Sequence, residues 1–166
     1  MIFWFFGFPG IGKDYVAGKL SKLTGIKKID ADDFLTDNEK RLLKKGSFTK
    51  ADRLFKLSRI TKRLKELLKK HKNIAVVDSL PDNDSRLFII NSFSPDLVLI
   101  HVKASKKTHM DRLSKRKDHF FTIAELKGWI KKHWEEVEVD HVVLENENDD
   151  KLLEKNLLAL YNRVNN

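Results

Sequence analysis

The sequence predicts an α/β fold organised around a mostly parallel sheet. Three observations lead to that class. Short apolar, β-rich runs alternate with helical patterns along all 166 residues. The first run passes directly into a glycine-rich turn and a helix. No linker long enough to separate two domains interrupts the alternation. The candidate strands are 2–6, 26–29, 74–78, 97–102 and 141–144. The helix after the first strand runs from about residue 12 to 23 and stops at Thr24-Gly25, where the glycine is a C-terminal stop signal. A long helix over 50–71 follows from Leu54, Leu57, Ile60, Leu64, Leu67 and Leu68, which recur at helical spacing. Further helices are predicted at 84–92, 106–115, 122–136 and 150–164. Thr122 with Glu125 three residues later reads as a capping box. The chain therefore reads as one domain, 1–166, without internal repeats.

Composition narrows the function classes. Net charge is +9, with lysine outnumbering arginine about three to one. Such a balance suits either nucleic acid or a phosphate-bearing ligand. The lysines come in scattered pairs (Lys27-Lys28, Lys44-Lys45, Lys69-Lys70, Lys106-Lys107, Lys131-Lys132), and the aromatics sit mainly in apolar segments. That pattern favours solvated helix faces plus a phosphate site, with nucleic acid the less favoured partner. The chain has no cysteine, which excludes disulfides and thiolate metal sites. The apolar start is too short to span a bilayer and has no basic flank or cleavage site, so it reads as a buried strand and no membrane partner is expected. A cytoplasmic monomer or homodimer fits these features.

Gly7-Phe8-Pro9-Gly10-Ile11-Gly12-Lys13 follows the first strand and has the spacing G-x-x-x-x-G-K of a phosphate-binding loop. Gly7, Gly10 and Gly12 let the backbone curl so that its N–H groups form a nest at a helix N-terminus. Lys13 reaches the β- and γ-phosphates of a bound triphosphate. The predicted nucleotide contacts are Gly7, Pro9, Gly10, Ile11, Gly12, Lys13, Asp14 and Tyr15. Asp14 stands where Ser or Thr usually ligates Mg²⁺. Two readings stay open: Asp14 binds the metal directly or through water, or the site binds nucleotide and turns over poorly.

Carboxylates gather at two further strand ends. Asp30, Asp32 and Asp33 follow the second strand, where ligands bind in parallel α/β sheets. Asp30 and Asp32 point the same way if the strand persists. Asp32 is the first choice to accept the proton of an attacking hydroxyl. Asp30 or Asp33 can hold the metal's water shell, and Asp33 can equally cap the next segment. Asp78 ends the third strand in the manner of a Walker B carboxylate and is a metal candidate; a simple turn role ahead of Pro81 is the alternative. Arg112 and Arg116 lie one helical turn apart, placed either to clamp phosphates and stack on adenine under a lid or to complement a helix C-terminus.

Taken together, these segments resemble the gluconate kinase family, within the shikimate and nucleoside-monophosphate kinase group of P-loop proteins. Asp30-Ala31-Asp32-Asp33-Phe34 is similar to that family's D-A-D-D-[FY] segment. Lys45-Gly46-Ser47-Phe48-Thr49-Lys50-Ala51-Asp52-Arg53 is similar to K-G-x-P-L-x-x-x-D-R. Ser79 through Arg86 keeps the serine-to-arginine spacing of S-A-L-K-x-x-Y-R, and Arg112-Leu113, Arg116 and His119-Phe120 match R-L-x-x-R-x-G-H-F. The resemblance implies a three-layer α/β/α fold with a five-stranded sheet in the order 2-3-1-4-5, ATP with Mg²⁺, and a small lid near 115–123. It implies that Asp32, Asp33, Arg53, Ser79 and Arg86 serve the acceptor, and Arg112 and Arg116 the nucleotide, with Lys13, Asp32 and Arg116 catalytic. Metal candidates are Asp14, Asp30 and Asp78. Leu35-Thr36 replaces the family's His-Pro, Pro81-Asp82-Asn83 replaces its lysines, and Asp118 replaces the glycine before His119. These departures concentrate on the acceptor side and point away from gluconate itself. Gly12-Lys13-Asp14 also resembles loops of some phosphomevalonate and deoxynucleotide kinases.

The expected function is ATP-dependent phosphoryl transfer to a hydroxyl of a small metabolite. A nucleoside-monophosphate kinase, a polynucleotide 5′-hydroxyl kinase and a catalytically weak nucleotide-binding module are the alternatives.

Overall fold

Every side chain of β1 (Ile2–Phe6) is fully buried, and the alternation of strand side chains divides them between two cores. Ile2, Trp4 and Phe6 enter one core, and Phe3 and Phe5 the other. Burying such side chains contributes about 1.5–3 kcal/mol each, so β1 anchors both layers at once. In the computed structural model, which describes residues 1–115 and 122–165, four more strands join it: β2 (Lys27–Asp30), β3 (Ile74–Val77), β4 (Leu97–Lys103) and β5 (Val142–Glu145). All pairings are parallel and the order is β2-β3-β1-β4-β5, as the resemblance implies.

Helices cover both faces. On one side α3 (Lys50–Leu68) and α4 (Asn83–Phe93) bring Leu57, Ile60, Leu64, Ile89 and Phe93 against Trp4. On the other, α1 (Lys13–Thr24) and α7 (Asp150–Asn165) bring Val16, Ala17, Leu20, Leu153 and Leu157 against Phe3 and Phe5. The remaining helices among the described residues are α2 (Asp37–Lys44), α5 (Lys106–Lys115) and α6 (Ile123–His133).

Some boundaries differ from expectation. The short helix α2 is not anticipated by apolar periodicity. It rests instead on a Thr36–Glu39 capping box, and Arg59 of α3 holds Glu39 with two hydrogen bonds of 2.9 and 2.7 Å. The long helix stops at Leu68 rather than 71, because Lys70 and His71 both donate to the Leu67 carbonyl in a closing turn. The helix begun by the Thr122–Glu125 capping box ends at His133, with Trp134 extended as its C-cap. Residues 116–121, most of the predicted lid, lie outside the described residues.

The strand order dictates where chemistry gathers. β3 lies between β1 and β2, and Val77 pairs with both Phe5 and Asp30. The C-terminal ends of these three strands therefore deliver the glycine loop, Asp78 and the acidic turn to one edge of the sheet.

Candidate active site

The loop after β1 is built around left-handed backbone. Gly12 has φ +97°, and a Cβ there would meet the Asn146 side-chain nitrogen at 2.4 Å. Gly10 has φ +82°, and its Cβ would fall 2.4 Å from a Leu113 methyl. Glycine is required at both positions. The loop is tied down from two sides: the Ile11 carbonyl accepts from Arg112 Nη1 and from Asn146 Nδ2, each at 3.0 Å. Arg112 also donates to the Glu147 carbonyl at 3.1 Å. Arg112 thus bridges the loop to the end of β5. Lys13 is buried at the start of α1, and its ammonium donates to the carbonyls of Gly7 (3.0 Å) and Phe8 (2.9 Å). Its neighbour Asp14 turns toward β2 and pairs with Lys28. Tyr15 donates to Asp150 of α7 at 2.7 Å.

The acidic segment departs from the extended strand that would align Asp30 with Asp32. β2 ends at Asp30, and residues Ala31–Phe34 form a single 3₁₀ turn. Asp30 caps that turn by accepting from the Asp32 amide at 2.9 Å. Burial pushes the Asp30 carboxyl up, the Asp32 amide opposes this, and the neighbouring Asp32, Asp33 and Asp78 charges add to the rise. The turn, not strand alternation, presents Asp32 and Asp33 to the cleft. Asp78 lies just beyond β3, and its Oδ1 accepts from the Ser79 amide at 2.7 Å.

Between Asp32 and Asp78 stands Lys56 of α3, which the sequence reading does not single out. Its ammonium is 3.0 Å from Asp32 Oδ1 and 3.2 Å from Asp78 Oδ2. Burial alone would lower its pKa, but the two carboxylates outweigh that and raise it. A signal was present: Lys56 follows Arg53 by three residues, which places both on one face of α3.

The two predicted acceptor arginines part company. Arg53 lies on the cleft wall, ion-paired with Asp82; the two side chains are 9% and 3% exposed. Arg86 is fully buried behind that wall and does not line the cleft. It donates to the carbonyls of Leu80 (3.0 Å), Pro81 (2.9 Å), Glu135 (3.1 Å) and Glu136 (3.1 Å) and to Asn83 Oδ1 (2.7 Å). Burial pushes its pKa down, against the raising influence of Asp82, Glu135 and Glu138. Arg86 therefore holds the 80–83 turn, where Leu80 has φ +42°, against the segment after α6.

One cleft of about 1070 Å³ joins these parts. Gly10, Gly12, Lys13, Tyr15, Arg112 and Asn146 line one half; Asp32, Lys40, Lys44, Phe48, Arg53 and Trp129 line the other. Ligand pockets commonly occupy about 300–1,000 Å³, so the cleft lies at the upper end of that range. Lys40 and Lys44 come from the unanticipated α2, and Trp129 from α6. Arg116 lies outside the described residues.

The donor set suits Mg²⁺. Asp14, Asp30 and Asp78 offer hard oxygens along the cleft that Lys13 also lines, and Asp78 is held by the Ser79 amide and the Lys56 ammonium. Among the described residues no group of three or more acidic, His or Cys side chains is preassembled as a metal cage.

No family model and no curated protein sequence matches the chain. Solved structures do. A sugar kinase from Janibacter sp. HTCC2649 superposes with TM-score 0.81 at 20% identity, over 97% of this chain and 94% of that one. A gluconokinase from Sinorhizobium meliloti 1021 gives 0.79 at 21%, over 98% and 91%. Shikimate kinase from Aquifex aeolicus gives 0.58 at 18%, over 99% and 98%. The chain has the P-loop kinase fold. The glycine loop, Lys13 and the strand-end carboxylates border one cleft. No helix among the described residues is long and apolar enough to cross a membrane.

Proposed function

We propose that the chain is an ATP-dependent phosphotransferase acting on a hydroxyl of a small metabolite. The observation that carries this reading is the continuity of the cleft from the glycine loop and Lys13 to Asp32. The inward N–H groups of the loop and the N-terminus of α1 bind the phosphates of ATP. Lys13 releases its loop carbonyls for the β- and γ-phosphate oxygens and follows the charge that develops on them. Arg112 and Asn146 keep the Ile11 carbonyl fixed, so that the cradle is formed before the ligand arrives. Arg116, which the family resemblance assigns to the nucleotide, serves as a further charge stabiliser in this reading. In the other half, the acceptor hydroxyl lies against Asp32, with Asp33, Ser79 and Arg53 around it. Its oxygen forms a bond to the γ-phosphorus, its proton passes to Asp32, and the bond to the β-phosphate oxygen breaks to release ADP. Asp14, Asp30 and Asp78 would hold Mg²⁺, which when bound supplies positive charge at the phosphate oxygens. Arg86 acts at one remove, by fixing the turn that carries Asp82. A chain that consumes ATP in this way suits the cytoplasm.

The acceptor half lacks the sugar-acid lysines, and Asp82 at that place is taken up by Arg53. The acceptor therefore falls in the range from sugar alcohols and acids to nucleoside derivatives. The deciding experiment incubates the protein with γ-labelled ATP and Mg²⁺ against sugar acids, nucleosides, nucleoside monophosphates and 5′-hydroxyl oligonucleotides. Label on one of these classes supports the reading. A nucleotide-binding module is the second reading, favoured by the pairing of Asp14 with Lys28. Magnesium-dependent ATP binding without transfer to any acceptor class would select it.

A further inference from the structure

Lys56 has no part in the reactions above, yet it lines the cleft beside Asp32 and Asp78. Its side chain is 5% exposed and comes from the face of α3 that also carries Arg53. One ammonium spans two strand ends: it lies 3.0 Å from Asp32 Oδ1, after β2, and 3.2 and 3.4 Å from the two oxygens of Asp78, after β3. A buried ammonium loses much hydration, and a buried ion pair as a whole can often be replaced by apolar side chains of similar volume without loss of stability. Stability alone therefore does not account for a cation here. Lys56 and Asp78 form a buried pair much like the neighbouring Arg53–Asp82 pair, and what sets Lys56 apart is its second carboxylate. Asp32 is 68% exposed, so Lys56 grips a carboxylate that faces the cleft.

Charge density gives the grip a purpose. Asp14, Asp30, Asp32, Asp33 and Asp78 all line the cleft whose loop binds phosphate. A triphosphate entering beside five uncompensated carboxylates meets strong repulsion. Two lysines answer three of them: Lys28 pairs with Asp14, and Lys56 with both Asp32 and Asp78.

We propose that Lys56 is the positioning residue of the transfer step: it fixes the Asp32 carboxylate at the acceptor hydroxyl and places a permanent positive charge between Asp32 and Asp78. Resting on the phosphotransferase reading, this assigns one Asp32 oxygen to the ammonium and the other to the acceptor's proton. It also means that Asp32 and Asp78 do not recruit a divalent cation by themselves, so that the metal enters with the nucleotide.

The test uses the full chain as wild type, Lys56→Met and Lys56→Arg, with thermal melts and circular dichroism to establish folding. The first readout is binding of Mn²⁺ alone, without nucleotide, followed by electron paramagnetic resonance. Lys56→Met binds Mn²⁺ about tenfold tighter than wild type, the Coulomb estimate for removing a unit charge from beside a divalent ion. Lys56→Arg stays near wild type. The second readout is steady-state transfer with the best acceptor. In Lys56→Met, kcat falls about 100-fold, the scale of a reacting group misplaced by an ångström, while KM for ATP is unchanged; Lys56→Arg recovers part of kcat. If Lys56→Met does not fold, Lys56→Gln carries the same two readouts. A folded neutral variant with wild-type Mn²⁺ affinity or wild-type kcat overturns the proposal. Absence of transfer by wild type to every acceptor overturns the phosphotransferase reading instead, and the Mn²⁺ comparison still decides whether Lys56 neutralises the two carboxylates.

Discussion

Replacing Arg53 by methionine separates the support of the cleft wall from its chemistry. Arg53 and Asp82 form an ion pair in which both side chains are more than nine-tenths removed from solvent. Methionine keeps most of the aliphatic volume and removes the guanidinium, leaving Asp82 buried without its cation. Breaking a buried pair from one side costs about 3–5 kcal/mol. A domain of this size gains or loses about 2–4 °C in Tm per kcal/mol, so the variant should melt roughly 6–20 °C lower. Asp82 also caps α4, accepting from the Ser85 amide at 2.8 Å. Asparagine at position 82 preserves that acceptor while removing the charge. The double variant Arg53→Met/Asp82→Asn should therefore recover most of the loss. Urea unfolding of wild type, both single variants and the double variant closes the cycle, with an expected coupling of about 3 kcal/mol or more, at the top of the range for contacting pairs. A loss below about 1 kcal/mol in Arg53→Met, or additivity within about 0.5 kcal/mol, would refute the idea that this pair holds the wall.

Other outcomes follow from the same geometry. Gly12→Ala must place a Cβ in left-handed backbone, at about 1–2 kcal/mol, and push aside the Asn146 amide that bonds the Ile11 carbonyl, at about 1 kcal/mol; melts should show a loss of about 2–3 kcal/mol and calorimetry a weakened affinity for ATP. Acid should destabilise the protein in two stages. His101, which stacks on Phe6 at 4.7 Å, is pushed down to about 3 mainly by burial, with Lys103, His141, Arg86 and Lys13 adding to the shift, so its contribution is complete above the unfolded value of 6.5 and is lost as pH falls from there toward 3. Glu39 is held down to about 2 chiefly by Arg59, with Thr36 assisting against desolvation, so its contribution is complete above 4.5 and is lost between 4.5 and 2. Urea midpoints measured against pH should lose much of their slope between 6.5 and 4.5 in His101→Phe, the remainder coming from His133, which burial also pushes down, and should retain the lower stage; an unchanged slope in that variant would contradict the burial argument.

Legibility in the sequence followed the strength of the local signal. The strands of the sheet were readable because β1 and β3 are buried on both faces and therefore appear as unbroken apolar runs. The glycine loop was readable because left-handed backbone at Gly10 and Gly12 tolerates almost no other residue. Helix α2 escaped because its packing rests on the Glu39–Arg59 contact across twenty residues, which no local periodicity records. With it went Lys40 and Lys44, which line the cleft. Arg53 and Arg86 looked alike as motif arginines. Only the three-dimensional arrangement distinguishes a cleft-facing guanidinium from one that spends its donors on four backbone carbonyls and Asn83. Lys56 lay within reach of helical spacing, but its meaning comes from β2 and β3 being neighbours in the sheet.

Phosphoryl transfer from γ-labelled ATP by wild type and by Lys13→Met, compared on the same acceptor panel, tests the central claim most directly. Wild type should label one acceptor class. Lys13→Met, with an unchanged circular dichroism spectrum, should lose about 100- to 1,000-fold in turnover, the scale for removing one preorganised group at the developing charge. Undiminished transfer by the folded Lys13→Met protein would contradict the account.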